Sequence, residues 1–521
     1  MKKTLILLTS LWGLLSCSEQ KTFNVLDYGA TGDGTTIDSP AINAAIEAAS
    51  SQGGGKVVLP EGTYLSYSIH LKDHITLQLD KGAILMAAEP TEMMGYDEAE
   101  DYDWAFYQDF GHSHFHNSLI WGEKLDDIAI VGEGRIDGHN LRSHQEHSCK
   151  INQGNKAIAL KECTNFRLEG IEMLQCGHFA LLATGIDNMN IENVTIDTNR
   201  DALDIDCCTN VKITHCNVNS PHDDAIVLKS SYALNRFKDC ENIEVAYCQV
   251  SGYDCGTLLD GTRQLVGPPA PDRGGRTGRI KLGTESSGGY RHIQIHDCTF
   301  EHCRGLALET VDGGILEDVH CWNLEMNHIV NAAIFLRLGS RQRSPEGTPV
   351  GQLKDVVIEH VKAYDVDSRY SSIIAGIPEH LIENVQLNDI EIHHRGGCQL
   401  TDETPVIAIA PWEKPEYKEP QKREKMTPEQ KEQMQKEFAA WRKTQRDTAL
   451  ICNLSFKVPE VEAGYPEPWM FGIVPAKGFF IRHAKNIHFN DIRFYFEQPD
   501  PRPLFYEEDV EIITKINFTE G

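Results

Sequence analysis

The sequence has no pair of cysteines at the Cys-x-x-Cys spacing of a zinc site, although it contains 15 cysteines. A metal centre therefore has little support, and no cofactor is expected. Long hydrophobic runs are lacking too. One short apolar stretch stands at the N-terminus and mean hydropathy is −0.37, which rules out a polytopic membrane protein. Positive charge is scarce: 49 Lys and Arg face 77 Asp and Glu, a net charge of −28. Such a surface argues against a nucleic-acid partner and would repel a long polyanion. Apolar residues, by contrast, make up 40% of the chain, ample for a large core and contrary to disorder.

The N-terminus reads Met1-Lys2-Lys3, an apolar run from Leu5 to Leu15, then Ser16-Cys17. This is the pattern of a secretory signal, too short for a stable spanning anchor. Leu14-Leu15-Ser16-Cys17 resembles the bacterial lipobox, in which the cysteine is acylated after cleavage. An ordinary signal peptide with a coincidental cysteine is the alternative. The expected layout is a signal peptide over 1–16, a lipidated linker over 17–22 and one folded domain over 23–521. The mature protein would be an outer-membrane or periplasmic lipoprotein of a Gram-negative bacterium, touching the membrane through its lipid anchor alone. Export permits disulfides among the other 14 cysteines, but a domain of this size does not need them.

A short pattern recurs: apolar, x, apolar, two residues, apolar, x, apolar. It stands at Phe166-Leu168-Ile171-Met173, Met189-Ile191-Val194-Ile196, Val211-Ile213-Cys216-Val218, Ile243-Val245-Cys248-Val250 and Ile293-Ile295-Cys298-Phe300. Later copies are Val356-Ile358-Val361-Ala363, Val385-Leu387-Ile390-Ile392 and Ile487-Phe489-Ile492-Phe494. Each is two short period-2 strands with a bend between them, set among turn residues. The first three copies start 23 and 22 residues apart. Strand units of that length without intervening helices predict an all-β, right-handed parallel β-helix whose stacked coils share one core. Cys216, Cys248 and Cys298 hold the same repeat position and read as buried, stacked thiols.

The first coil needs a cap. Ser39-Pro40 followed by Ile42, Ala45, Ile46 and Ala49 predicts an amphipathic helix with proline at its first position. A Lys-, Glu- and Gln-rich stretch over 411–450 departs from the repeat. Its Thr427-Pro428-Glu429-Gln430 resembles a capping box, and Met434, Phe438 and Trp441 form a helical stripe. A helical insertion folded on the body is expected there; a solvated charged loop is the alternative.

Acidic residues cluster where two neighbouring coils leave the same repeat position. Asp201 lies five residues after Ile196; Asp223 lies five after Val218, and Asp224 follows. Equal offsets put the three carboxylates on one wall, about 4.8 Å apart from coil to coil. Repulsion at that distance raises at least one pKa and sets a protonated acid beside ionised partners, as glycoside hydrolysis requires. Asp204 and Asp206 could join the cluster, or Asp206 could point elsewhere. A solvated aspartate ladder or a calcium site is the alternative.

The stretches Asn199-Arg200-Asp201-Ala202-Leu203-Asp204 and Asp223-Asp224-Ala225-Ile226-Val227-Leu228-Lys229-Ser230 resemble the NTDGxD and DDxxxxKS motifs of glycoside hydrolase family 28, the polygalacturonase-like enzymes. The resemblance runs from Tyr28-Gly29-Ala30-Thr31-Gly32-Asp33-Gly34, through Gly132-Glu133-Gly134-Arg135-Ile136-Asp137-Gly138, to the last coils. It implies Asp223 as general acid, Asp201 and Asp224 as the pair that activates water, and an inverting mechanism whose wide carboxylate spacing leaves room for that water.

Departures from the family pattern bear on the substrate. Gly278, in Thr277-Gly278-Arg279, occupies the place of the family histidine, and Ala307-Leu308-Glu309 stands where the family has Arg-Ile-Lys. An anionic Glu309 would repel a uronate carboxylate, so a different, neutral sugar is expected beside the scissile bond. Candidate substrate contacts are Lys229, Glu285 and Glu309, the cations Arg279 and Arg337, and the histidines His178 and His222. Lys281, Arg341 and Arg343 are further cations nearby. Trp104, Phe106, Tyr107 and Phe110 offer aromatic faces on a loop. Loops 101–117, 255–279 and 411–470 could wall the groove and favour exo-action on plant cell-wall, pectic glycan. Two rivals remain at this point. A polysaccharide lyase needs a cation for the uronate carboxylate and a Lys or Arg base; a non-catalytic glycan-binding surface lipoprotein would not need three aspartates.

Overall fold

A computed structural model describes residues 20–142, 152–267, 275–402, 426–447 and 450–521. Cys17 and the signal segment lie outside them. The chain winds into a right-handed parallel β-helix, and every strand pairing inside the coil stack is parallel. One sheet is made by successive strands Phe179–Thr184, Asp201–Asp206, Ile226–Ser230, Ile280–Ser286, Leu306–Thr310 and Ile334–Leu338. A second contains Thr164–Glu169, Asp187–Glu192, Thr209–Thr214 and Cys240–Ala246, and a third Glu172–Leu174, Thr195–Asp197, Asn217–Asn219 and Gln249–Ser251. Further along, the second and third run together as single bent strands such as Tyr290–Glu301.

The repeat pattern maps onto this stack directly. Phe166 pairs with Met189, Met189 with Val211, Val211 with Ile243 and Ile243 with Ile293, all turned into one core. Val319-Cys321-Leu324-Met326 is a further copy, paired with Ile293-Ile295-Cys298-Phe300 on one side and Val356-Ile358-Val361-Ala363 on the other. The bends put several residues of each coil at positive φ, among them Asn165, Asn188, Asn210 and Asn242 at 55° to 63°. Asparagine tolerates that left-handed conformation, and its side chain bonds the coil before it: Asn188 donates to Asn165 and Asn242 to Asn210, both at 3.2 Å. Cys216, Cys248 and Cys298 are free thiols buried in the core.

The N-terminal cap is α1, Ser39–Ser50, with Ile42, Ala45, Ile46 and Ala49 fully buried. Its cap position is Asp38 rather than Ser39, so proline enters one residue later than its first-position reading. The Asp38 carboxylate accepts from the amides of Thr31 and Gly32, tying the preceding turn to the helix start. In the insertion, α2 spans Pro428–Asp447. Thr427 and Gln430 bond each other reciprocally at 2.9 and 3.3 Å, as a capping box should. The Phe438 and Trp441 side chains lie outside the described residues. Among those residues no helix is long and apolar enough to cross a membrane.

Candidate active site

The starts of consecutive strands in the first sheet form a row, and the acidic cluster sits on it. Ile196 pairs with Val218, but Leu203 pairs with Ile226, so one extra residue enters the second coil between the two sheets. Asp201 therefore faces Asp224 across the coil step, while Asp223 occupies the added position. One carboxylate oxygen of each of the three lies within 4.8 Å of the others. Oxygens at that separation can share one bound water, hydrogen-bonded at about 2.8 Å to each of two of them.

The three acids differ in setting. Burial, then the neighbouring Asp223 carboxylate, pushes Asp201 well above the usual carboxylate range. Asp224 is held by Arg279 Nε at 2.9 Å on one oxygen and by Lys281 Nζ at 3.5 Å on the other. Asp223 accepts from Arg200 Nη2 at 2.8 Å and is the most exposed of the three, at 9% against 4% for Asp201 and 3% for Asp224. Asp204 and Asp206 part company. Asp204 accepts from Lys229 Nζ at 2.8 Å, and its carboxyl stays low because Lys229 and His112 outweigh its burial. Asp206 turns to the Ser231 amide and hydroxyl at 2.8 and 2.6 Å.

Gly278 has a steric reason. It lies at φ +45°, and a Cβ there would come within 2.1 Å of the Ser251 carbonyl oxygen, so no histidine side chain could start from this position. A different histidine reaches the groove floor. His112 arrives from the loop over 101–117, its Nε2 3.0 Å from Asp204 and 2.5 Å from Lys229 Nζ. The loop is pinned by Trp104, whose indole donates to the Ala233 carbonyl, and by an Asp109–Arg343 pair at 2.7 Å. Trp104 stacks on Tyr102 and Tyr107 meets Tyr232 edge-on, whereas Phe106 is 72% exposed. The Phe110 side chain lies outside the described residues.

On the other side, the segment 450–477 covers the row beyond Asp224. Glu467 is fully buried between Arg279 Nη2 at 2.6 Å and Arg304 Nη1 at 2.9 Å, with Asn331 Nδ2 at 3.4 Å. Arg337 is not brought to the cluster. Its guanidinium donates to the carbonyls of Gly376, Glu460 and Val461 and clamps this segment down. Lys229 and Arg279 stand at the cluster itself. Glu285 is buried 3.6 Å from Lys229, which draws its carboxyl down to about 2 against the effect of burial. Glu309 lies 3.4 Å from Lys281; burial pushes its carboxyl up to about 7, and neither oxygen has a hydrogen-bond partner among the described residues. His178 is buried one coil earlier, edge-on to Phe179. His222 is half-buried beside the aspartate pair, its amide bonded to the Asn199 carbonyl. His112, Glu467 and Arg200 were not singled out from the sequence. Only Arg200, next to Asp201 in the motif, carried a signal that could have found it.

A family model described as glycosyl hydrolases family 28 matches residues 103–260, the part that carries all three aspartates. Together with the similar proteins below, this match supports a family 28, polygalacturonase-like assignment for the chain. It is thus a glycosidase, a hydrolase of O-glycosyl bonds. A second model, rhamnogalacturonase A/epimerase, pectate lyase-like, matches residues 22–90. A probable polygalacturonase of Vitis vinifera is 24% identical over 412 residues, covering 73% of this chain and 76% of its own. Two solved structures share the fold of this chain. The exopolygalacturonase of Thermotoga maritima has a TM-score of 0.57 at 20% identity, covering 72% of this chain and 89% of its own. The family 28 exopolygalacturonase of Yersinia enterocolitica has 0.61 at 15%, covering 95% and 78%.

Proposed function

We propose that this glycosidase releases sugars from the ends of pectic glycan chains by inversion, with Asp201, Asp223 and Asp224 as its reacting acids. The observation that carries the reading is the convergence of these carboxylates, with the segment that carries buried Glu467 packed over the row beyond Asp224. A glycan lying along this row would meet that segment, which suits a chain terminus rather than its middle. The polygalacturonase and exopolygalacturonase names of the similar proteins point to the same substrate class and the same mode.

The acids divide the work. At rest Asp201 carries a proton, because burial and the Asp223 charge push its carboxyl well above the ordinary range. With a sugar seated in the row, that proton passes from Asp201 to Asp223, which donates it to the leaving oxygen. Asp201, now ionised, and Asp224 together polarise the water. Because cations hold both Asp224 oxygens, this carboxylate is a poor nucleophile toward carbon, which favours direct attack by water over a covalent intermediate. Arg279 and Lys281 are both committed to carboxylates of the protein itself, so the sugar ring next to them is taken to be neutral.

The reading extends to location: an exported protein anchored through acylated Cys17. Metabolic labelling with a fatty acid should mark the parent and not Cys17→Ser. For the activity, defined pectic oligosaccharides are incubated with the protein and the products followed by NMR. Terminal monosaccharide released with the anomeric configuration opposite to the bond cleaved supports the proposal. Random internal cuts, or an unsaturated product, would overturn it.

A further inference from the structure

Glu467 is a buried carboxylate held by cations from neighbouring coils. Two guanidiniums and an amide converge on one carboxylate: Arg279 donates through Nη2 at 2.6 Å and, more weakly, through Nη1 at 3.4 Å; Arg304 donates through Nη1 at 2.9 Å; Asn331 donates at 3.4 Å. All are buried. Arg279, Arg304 and Asn331 come just before three consecutive strands of the groove sheet, Ile280–Ser286, Leu306–Thr310 and Ile334–Leu338. By register Arg304 continues the row of Asp201, Asp224 and Gly278, at about 4.8 Å per coil, and Arg279 and Asn331 each stand one residue to its side. Glu467 does not belong to that row. It comes from a segment outside the repeat, before the short 3-10 turn Pro468–Phe471. The coil stack thus supplies a cationic cradle, and a separate piece of chain supplies the anion.

We propose that Arg279, Arg304 and Asn331 form a carboxylate receptor next to the reacting acids, and that Glu467 is its built-in occupant. Paired guanidiniums suit a planar carboxylate, and a buried pair of them needs an anion. While Glu467 fills the cradle, an acidic sugar cannot place its own carboxylate there. Glu467 is therefore a specificity-determining residue that reserves this end of the groove against uronate. Through Arg279, whose Nε also binds Asp224 at 2.9 Å, the same carboxylate positions a reacting acid. The inference rests on the proposed function for its meaning as a subsite, but the receptor itself can be tested without turnover.

The test is thermal stability of the full chain with sodium formate, sodium galacturonate and galactose, each against sodium chloride at equal ionic strength. Glu467→Ala empties the cradle. Formate and galacturonate are expected to raise its Tm saturably, by about 2 °C or more, with galactose without effect and the parent unmoved. Glu467→Gln keeps the volume and removes the charge, and it should respond to formate, the smaller anion, more than to galacturonate. Equal responses of parent and both variants, or variants that no carboxylate recovers from unfolding, overturn the proposal. A response to formate but not to galacturonate keeps the receptor and rejects the uronate subsite. A protein that cleaves no pectic glycan could still pass this test, so its failure and that of the hydrolase reading are separable.

Discussion

The outward rows of the second sheet and the floor of the groove are built by the same coils at the same spacing, yet their charges do opposite things. On the second sheet, Arg167, Asn190, Lys212, Glu244 and Gln294 follow one another in register. The Lys212–Glu244 pair there, at 3.2 Å, has side chains 68% and 30% exposed. In the groove, Lys229–Asp204 and Arg279–Asp224 are almost fully buried. The coil makes rows in both places. Covering decides the rest: the 101–117 loop and the 450–477 segment remove water from one row and leave the other wet. Charge pairs without water interact strongly and are costly to break, whereas solvated pairs contribute little.

The largest expected effect is on catalysis. Asp223→Asn should cut glycosidase activity by about 10²–10⁴-fold while moving the denaturant midpoint little. Initial rates and urea unfolding on one preparation check both halves. Arg279→Ala breaks two buried pairs and leaves Asp224 and Glu467 uncompensated, so a stability loss of about 3–5 kcal/mol is expected by chemical denaturation.

Glu309 sharpens the contrast through pH. Its carboxyl is raised from an ordinary 4.5 to about 7. The protonated form is thus favoured by folding, and the associated stability is fully present below the ordinary value and lost as pH rises through 7. The amount is about 3 kcal/mol across that window. Glu309→Gln should therefore show a flatter fall in unfolding free energy between pH 5 and pH 8 than the parent. The smallest effect belongs to the wet row: Lys212→Ala should change stability by less than about 1 kcal/mol. A large loss there would erase the distinction between the two surfaces.

The coil stack was legible because burial imposes period 2 on each strand and the stack repeats it. One copy, Val319-Cys321-Leu324-Met326, went unread because uneven spacing in that region looks like insertion. The aspartates were legible because they sit at fixed offsets from the repeat, though the equal offsets matched Asp201 to Asp223 where the register matches it to Asp224. A single residue inserted at a turn cannot be located by counting. The neighbours of the cluster were less visible. His112 and Glu467 come from segments with no repeat to index them, 92 residues before Asp204 and 188 after Arg279 respectively.

By itself the sequence determined the spiral, its capping helix and the gathering of three acids, since periodic burial and fixed spacing act locally and recur. Only the tertiary structure decided which cations those acids keep, why Gly278 admits no side chain, and that Arg337 clamps a covering segment. Those outcomes depend on where non-repeating loops land, and loop docking is set by long-range packing and charge pairing, which leave no period in the chain.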